Sequence, residues 1–252
     1  MFSFFKKKKQ ISILPPSLLV DIHSHLIPSI DDGAKTMAES LLLLEGLEEL
    51  GYTKVITTPH IMIDTYHNTK SSILQALVLL QETAKRTNIS LSIEAAAEYY
   101  LDEGLLALIK NDDVLLINNT YLLFETSYTH RPAQLEEIIF EILTAGHTPL
   151  LAHPERYRYI RNFQKEYSFL KGLGVEFQVN LNSLNGYYGS EAKKKALFLS
   201  QNGFIDFLGS DTHNIKQIDN LKAIFADSIY KDIHVNNIIK NNTLLKQRIT
   251  ML

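Results

Sequence analysis

The sequence predicts an α/β fold built on a parallel sheet, and three observations lead there. Short apolar, β-branched runs alternate with longer stretches of helical periodicity, the pattern of repeated βα units. Gly51 and Gly146 stand just ahead of a strand-like run, where the C-terminal caps of the preceding helices belong. Metal-binding and charged residue types fall at the ends of nearly all the strand-like runs, and barrel enzymes assemble their sites at the C-terminal ends of their strands. A chain of 252 residues can form one α/β barrel or two smaller domains. It has no repeat and no long linker, so the expected organisation is a basic tail over 1–16 and one domain over 17–252.

The first strand is expected over 18–23, where Leu18, Leu19 and Val20 lead into Asp21-Ile22-His23-Ser24-His25. Side chains alternate along an extended backbone, so His23 and His25 lie on one side and can share a cation. The alternative is one packed core histidine and one exposed loop histidine. Asp31-Asp32-Gly33 comes next, then a helix over 36–50. In it Met37, Leu41, Leu44 and Leu47 recur at helical spacing, while Glu39, Glu45, Glu48 and Glu49 can face water. The remaining strands are expected at 53–58, 91–97, 114–117 with 121–125, 148–152, 175–180 and 205–209. Helices are expected near 70–87, 102–110, 132–145, 162–173 and 190–202, and after 216. Strand ends then carry His23, His60 in Thr58-Pro59-His60, Glu98, Glu125, His153 in Ala152-His153-Pro154-Glu155-Arg156, Asn180, and Asp211 with His213.

Composition narrows the function. Hydrophobic content of 45% and charged content of 21% are ordinary globular values, and a net charge of −3 offers no electrostatic basis for binding nucleic acid. The sequence has no cysteine, which excludes disulfides, thiolate metal sites and a cysteine nucleophile, and suits a cytoplasmic location. No apolar run reaches the length of a membrane span. Phe2, Phe4 and Phe5 precede Lys6, Lys7, Lys8 and Lys9, the reverse of a signal peptide, so no stable membrane insertion is expected and the tail reads as solvated and flexible.

Taken in order, Asp-Ile-His-Ser-His at 21–25, Asp-Asp-Gly at 31–33, Thr-Pro-His at 58–60, Ala-Glu-Tyr-Tyr at 97–100, Phe-Glu at 124–125, Ala-His-Pro-Glu-Arg at 152–156 and Ser-Asp-Thr-His at 210–213 form a specific set. The set resembles the polymerase and histidinol phosphatase (PHP) superfamily of metal-dependent phosphoesterases. Within it, the resemblance is to the capsule and exopolysaccharide protein-tyrosine phosphatases, over about residues 18 to 220. The resemblance implies a distorted (β/α)7 barrel with about three metal ions, commonly Mn²⁺, at the C-terminal ends of the strands. It implies His23, His25, Asp32, His60, Glu98, Glu125, His153, Asp211 and His213 as metal ligands. It further implies a phosphotyrosine protein as substrate, a bacterial tyrosine kinase of polysaccharide biosynthesis or export. His67, His130, His147 and His234 stand outside the ligand set, and the segment 61–69, with Asp64, Tyr66 and His67, reads as a substrate-facing loop.

The chemistry is consistent with such a set. Phosphomonoester hydrolysis joins a poor nucleophile to an anionic substrate. Metal ions lower the pKa of water towards roughly 7, neutralise phosphoryl oxygens and align attack by a metal-bound hydroxide. Paired metals lie about 3.5–4 Å apart and call for bridging carboxylates, for which Glu98 and Asp211 are the candidates. A nitrogen and oxygen donor set suits Mn²⁺, Fe²⁺ or Zn²⁺. Arg156 is the candidate phosphate clamp, because guanidinium pairs bidentately with phosphate oxygens. A surface salt bridge to Glu155 or Glu166 is its alternative. Tyr99, Tyr100, Tyr128, Tyr157, Tyr187 and Tyr188 are candidates to wall a pocket for a phenyl ring. The competing readings are a small-molecule phosphatase such as histidinol-phosphate phosphatase, an amidohydrolase, and a non-catalytic regulatory barrel. The Ala-His-Pro-Glu-Arg and Asp-Asp-Gly motifs count against an amidohydrolase. A degenerate regulator should have lost ligand residues, and every expected position keeps one.

Overall fold

The computed structural model describes residues 18–245, so the basic tail expected over 1–16 lies outside the described residues. Among them, strands and helices alternate from β1 (Val20–Asp21) through α1 (Met37–Glu49), β2 (Lys54–Thr57), β3 (His60–Ile61), α2 (Lys70–Arg86), β4 (Ser92–Ala95), β5 (Glu98–Tyr100) and α3 (Glu103–Lys110). The order continues with β6 (Tyr121–Glu125), α4 (Leu135–Thr144), β7 (Thr148–Ala152), α5 (Phe163–Gly172), β8 (Glu176–Asn180), α6 (Leu181–Asn185), α7 (Ser190–Gln201) and β9 (Phe207–Gly209). Helices α8 (Ile215–Ala226) and α9 (Ser228–Asn236) follow.

The first two helices begin where local chemistry supplies caps. Thr36 accepts a hydrogen bond from Glu39 N at the start of α1, and Thr69 and Ser72 form a reciprocal capping box at the start of α2. Inward faces follow the helical period: Leu43, Leu44 and Leu47 on α1, and Ile73, Leu77, Leu80 and Ala84 on α2, are buried. Gly51 and Gly146 have φ of 94° and 83°, the left-handed geometry expected of helix-ending residues.

All strand pairs are parallel, in the orders β1-β2-β4 and β3-β5-β6-β7-β8-β9. The two sheets are continuous through the chain. β2 and β3 are one extended segment interrupted at Thr58-Pro59, where proline has no N–H for the ladder. β4 and β5 are a second segment, interrupted at Ala96-Ala97, and Ala96 N→Thr57 O (2.9 Å) and Glu98 N→Pro59 O (3.1 Å) carry the pairing across both breaks. The last strand meets the first through a parallel bridge, Ser24↔Thr212, with Asp211 N→His23 O (2.8 Å) and His25 N→Thr212 O (2.9 Å). At the other end of this seam, Asn241 donates to Val20 O and Leu208 O and accepts from Leu208 N. The parallel strands therefore run in sequence order around an interior filled by Val20, Ile22, Ile56, Ala96, Leu123, Leu150, Ala152 and Phe207. The larger apolar cluster draws on both strands and helices. Interrupted strands, in an otherwise regular βα succession, are what distorts this fold.

Several expected elements differ in extent. Residues 114–117 form no strand. Asn118 and Asn119 take left-handed conformations (φ 50° and 53°), turning the chain so that Ile117 bridges back to Tyr121 in antiparallel fashion. The first strand is only Val20–Asp21; beyond it the backbone makes isolated bonds to both neighbours, Thr58 N→Ser24 O (2.7 Å) on one side and Asp211 N→His23 O (2.8 Å) on the other. Glu98 and His60 do not end long strands; each opens a short one after a break. Helix α6 was not foreseen, and Gly186 (φ 93°) ends it.

Candidate metal centre

Four histidines from three strand segments converge on one carboxylate. Glu98, fully buried at the start of β5, places Oε2 3.2 Å from His23 Nε2, 3.4 Å from His25 Nε2 and 3.2 Å from His60 Nδ1. Its Oε1 lies 3.0 Å from His153 Nε2. Glu125, ending β6, lies 3.3 Å from His60 Nδ1, and Asp211 Oδ1 sits 3.5 and 3.6 Å from the Nε2 atoms of His23 and His25. Asp32 Oδ1 lies 3.4 Å from both His60 Nε2 and His213 Nε2, and it is the exposed member of the group. All nine side chains expected as ligands thus meet at one end of the strands.

Local structure explains how they arrive there. His153 follows β7 and Asp211 follows β9, both with left-handed backbone (φ 32° and 50°), which costs energy unless the surroundings hold it. The Asp31-Asp32-Gly33 turn presses against His25: a Cβ on Gly33 would lie 2.2 Å from His25 O, so only glycine fits. The turn divides its two carboxylates. Asp31 is buried, accepts from His25 Nδ1 (2.7 Å), His60 N and Gly33 N, and orients the imidazole; Asp32 faces the cavity.

A second orienting system comes from β8. Gln178 Oε1 accepts from His23 Nδ1 (2.7 Å), which leaves His23 Nε2, the nitrogen facing Glu98, as the one that would take a metal once its proton leaves. Gln178 Nε2 donates to Asn180 Oδ1 (2.8 Å), and Asn180 Nδ2 donates to Asp211 Oδ2 (2.6 Å). One amide relay therefore sets both a histidine and an aspartate. In the sequence Asn180 stands out as a strand end and Asp31 as part of Asp31-Asp32-Gly33, though not as an orienting residue; Gln178 carries no signal of its own.

Burial and charge make the cluster suited to cations. Burial alone would lower the His23 and His60 pKa values, but neighbouring carboxylates, Glu98 foremost, outweigh it and raise each to about 10. Burial would raise Glu98, yet His23 and His60 hold it well below the usual carboxylate range. Glu125 is pushed up to about 8 by burial and by the Glu98 charge, and His153 down to about 4 by burial and Arg156. Glu98 Oε2 and His60 Nδ1 are buried without a well-formed hydrogen bond, although 3.2 Å apart. Such atoms aim at a shared point rather than at each other. Donor atoms fall into four overlapping groups, each within 4.8 Å: His25, Asp32, His60, His213; His23, Glu98, His153; His23, His25, Asp211; and His60, Glu98, Glu125. Imidazole nitrogens and carboxylate oxygens at this spacing fit a cluster of divalent cations.

Arg156 stands at the rim of a cavity of about 340 Å³ above the cluster. One guanidinium nitrogen lies 3.1 Å from Asp211 Oδ2, and the plane is held between Tyr128 and Tyr188, 4.6 and 4.3 Å from the ring centres. Neither alternative salt bridge forms. Glu155 is buried, accepting from Asn180 N and Ser183 Oγ, and Glu166 accepts from Arg161 N and Asn162 N. Of the six tyrosines considered as pocket walls, Tyr128, Tyr187 and Tyr188 line this cavity. Tyr99 and Tyr100 line a neighbouring one. Tyr157 lines neither: it is buried in the core, its hydroxyl donating to Ala152 O and accepting from Thr126 N. His67, His130, His147 and His234 belong to none of the four donor groups.

Comparison with known proteins fits this geometry. Residues 19–240 match a family model described as capsular polysaccharide synthesis, CpsB/CapC. The chain is 30% identical over 199 residues to the tyrosine-protein phosphatase YwqE of Bacillus subtilis, covering 79% of this chain and 78% of that protein. A crystal structure from work on YwqE of Bacillus subtilis and CpsB of Streptococcus pneumoniae, described as unique metal-dependent tyrosine phosphatases, superposes with a TM-score of 0.75. It is 26% identical and covers 87% of this chain and 96% of that one. The histidinol phosphate phosphatase of Lactococcus lactis shares the fold at a TM-score of 0.50 and 13% identity, covering 82% of this chain and 92% of its own.

Proposed function

The chain belongs to the CpsB/CapC family of capsular polysaccharide synthesis, and from that premise we propose that it is a metal-dependent protein-tyrosine phosphatase acting by phosphomonoester hydrolysis. One observation carries the reading: nitrogen and oxygen donors converge on Glu98 beneath a single stacked guanidinium, in a chain without cysteine. In this reading His23, His25, Asp32, His60, Glu98, Glu125, His153, Asp211 and His213 hold the cations. Glu98 is shared between donor groups, whereas Asp211 offers Oδ1 alone, since Oδ2 already accepts from Arg156, Asn180 and Tyr188. Mn²⁺ is the proposed metal, with Fe²⁺ and Zn²⁺ as the ions to test against it.

Bound cations would neutralise the phosphoryl oxygens and lower the pKa of water towards about 7. The chain's own groups do the rest. Arg156 spends one N–H on Asp211, and its other donors are free for phosphate oxygens. The rings of Tyr128 and Tyr188 flank the planar guanidinium and hold it in place. The leaving group, a phenol of pKa about 10, departs more readily than an aliphatic alkoxide and asks less of a general acid. The phosphoprotein proposed is a bacterial tyrosine kinase of polysaccharide export, encountered in the cytoplasm, a reading supported by the family's role in capsule synthesis. Among the described residues, no helix is long and apolar enough to cross a membrane. The deciding experiment compares kcat/KM for a phosphotyrosyl peptide and for histidinol phosphate. The peptide should be preferred, and a preference for histidinol phosphate would overturn the proposal.

Two further results are expected. Protons held on His23, His60 and Glu125 in the metal-free protein must leave when cations bind, so apparent metal affinity should rise as pH is raised from 6 to 8. Calorimetry in buffers of different ionisation enthalpy should report net proton release; uptake, or no buffer dependence, contradicts this. Gln178→Leu removes the acceptor that selects the His23 tautomer, and should weaken metal binding by about 10–100-fold. Equilibrium competition with a chelator dye measures it, and unchanged affinity would remove Gln178 from the site.

A further inference from the structure

Beside the metal cavity lies a second one of about 360 Å³ that shares none of its lining residues. We propose that it is a subsite for an uncharged apolar side chain of the substrate, next to the phosphotyrosine; this rests on the tyrosine phosphatase reading above.

The two cavities are built from the same strands, one residue apart. β3 sends His60 to the cluster and Ile61 to the second cavity, and the paired strand β5 sends Glu98 to the cluster and Tyr99 and Tyr100 to the cavity. The partition is Tyr66. Its ring stacks on His60 (5.4 Å between centres, 13° between planes) and lines the second cavity. The loop that carries Tyr66 is tied down: Met62 and Tyr66 exchange backbone hydrogen bonds at 3.0 Å, and Asn68 Nδ2 donates to the carbonyls of His60 and Ile30. The second cavity therefore lies next to the metal site, divided from it by a fixed aromatic wall.

Its lining decides what it takes. Ile61, Met62, Ile63, Leu105 and Leu108 supply aliphatic surface, with the tyrosine rings beside them. The carboxylate of Asp102 is already engaged, accepting from Gly104 N, Leu105 N and Ile63 N, and the Tyr99 hydroxyl accepts from Leu115 N. Apart from the engaged Asp102 carboxylate, His67 and the tyrosine hydroxyls, no ionisable group lines the cavity, and a charged side chain would lose hydration there with little to replace it. Ile63, 46% exposed, forms the rim. A peptide whose phosphotyrosine enters the metal cavity runs across the Tyr66 wall, and a neighbouring leucine, isoleucine or phenylalanine can drop into the apolar space. Side chains on one face of an extended peptide recur about every 7 Å, the scale of such a step.

The test compares phosphotyrosyl peptides carrying leucine at each neighbouring position in turn with the same peptides carrying serine. p-Nitrophenyl phosphate, which has no flanking residue, serves as the reference substrate. Wild-type enzyme should prefer leucine at one position by on the order of tenfold in kcat/KM, the effect of burying one such side chain. Leu108→Asp should erase that preference and leave p-nitrophenyl phosphate turnover and metal content unchanged. Ile63→Asp, at the exposed rim, should do the same and covers the case in which Leu108→Asp fails to fold. Absence of any leucine preference, or equal losses on the peptides and p-nitrophenyl phosphate, would overturn the subsite while the phosphatase reading stood. No hydrolysis of any phosphotyrosyl peptide alongside rapid histidinol phosphate turnover would overturn both.

Discussion

Glu98→Gln is expected to strip the cluster of metal and to reduce phosphatase activity to that of the chelated wild-type enzyme. The carboxylate is fully buried and touches four histidines, so it would supply the negative charge that compensates a cation held among them. An amide of the same shape removes that charge and turns N–H donors toward atoms that need an acceptor. Breaking a buried charge set in this way costs about 3–5 kcal/mol, or on the order of 10²–10³ in metal affinity. Prolonged chelation of the wild type should give the same inactive state, and Mn²⁺ should restore the wild type but not the variant at equal concentration. Thiol-blocking reagents should have no effect, since the sequence has no cysteine. Metal stoichiometry, turnover and far-UV circular dichroism on the same samples check the prediction. A folded Glu98→Gln protein with full metal content would remove Glu98 from the centre of the site.

Arg156→Ala is expected to leave the metals in place and to lower kcat/KM by on the order of 10²–10³, the effect of losing one well-placed electrostatic group. Arg156→Lys should recover only part of the loss, because a point charge cannot form the guanidinium fork and cannot lie flat between Tyr128 and Tyr188. Asp211 should tolerate the change, since Asn180 Nδ2 and the Tyr188 hydroxyl still donate to its Oδ2. That separates phosphate binding from metal binding: Glu98→Gln empties the site, while Arg156→Ala spares its metal and slows it. A rate within a few-fold of wild type would exclude Arg156 from the mechanism.

Much of the fold was legible because βα units are written locally. Apolar runs of strand length, helical spacing of leucines on α1 and α2, and glycines at helix ends each depend on neighbours a few residues away. So does the placement of ligand residue types at strand ends, which parallel strands bring to one side of a sheet. The interruptions at Thr58-Pro59 and Ala96-Ala97 escaped, because a strand-like composition does not reveal where its ladder fails. The mistaken strand at 114–117 has the same origin: its apolar residues looked extended, while the Asn118-Asn119 turn decided the pairing.

The sequence by itself determined which residues can bind metal and that no thiol takes part, since those are properties of residue type. Only the tertiary structure decided how the roles divide. Asp31 orients and Asp32 opens to the cavity because a close approach to His25 admits only Gly33 behind them. Gln178 and Asn180 govern His23 and Asp211, and Arg156 pairs with Asp211 rather than Glu155 or Glu166. The contacts of Gln178, Asn180 and Arg156 join residues from 31 to 155 positions apart, as Asn180 to Asp211 and His23 to Gln178 do. A local pattern cannot register them, because each exists only once the strands are side by side.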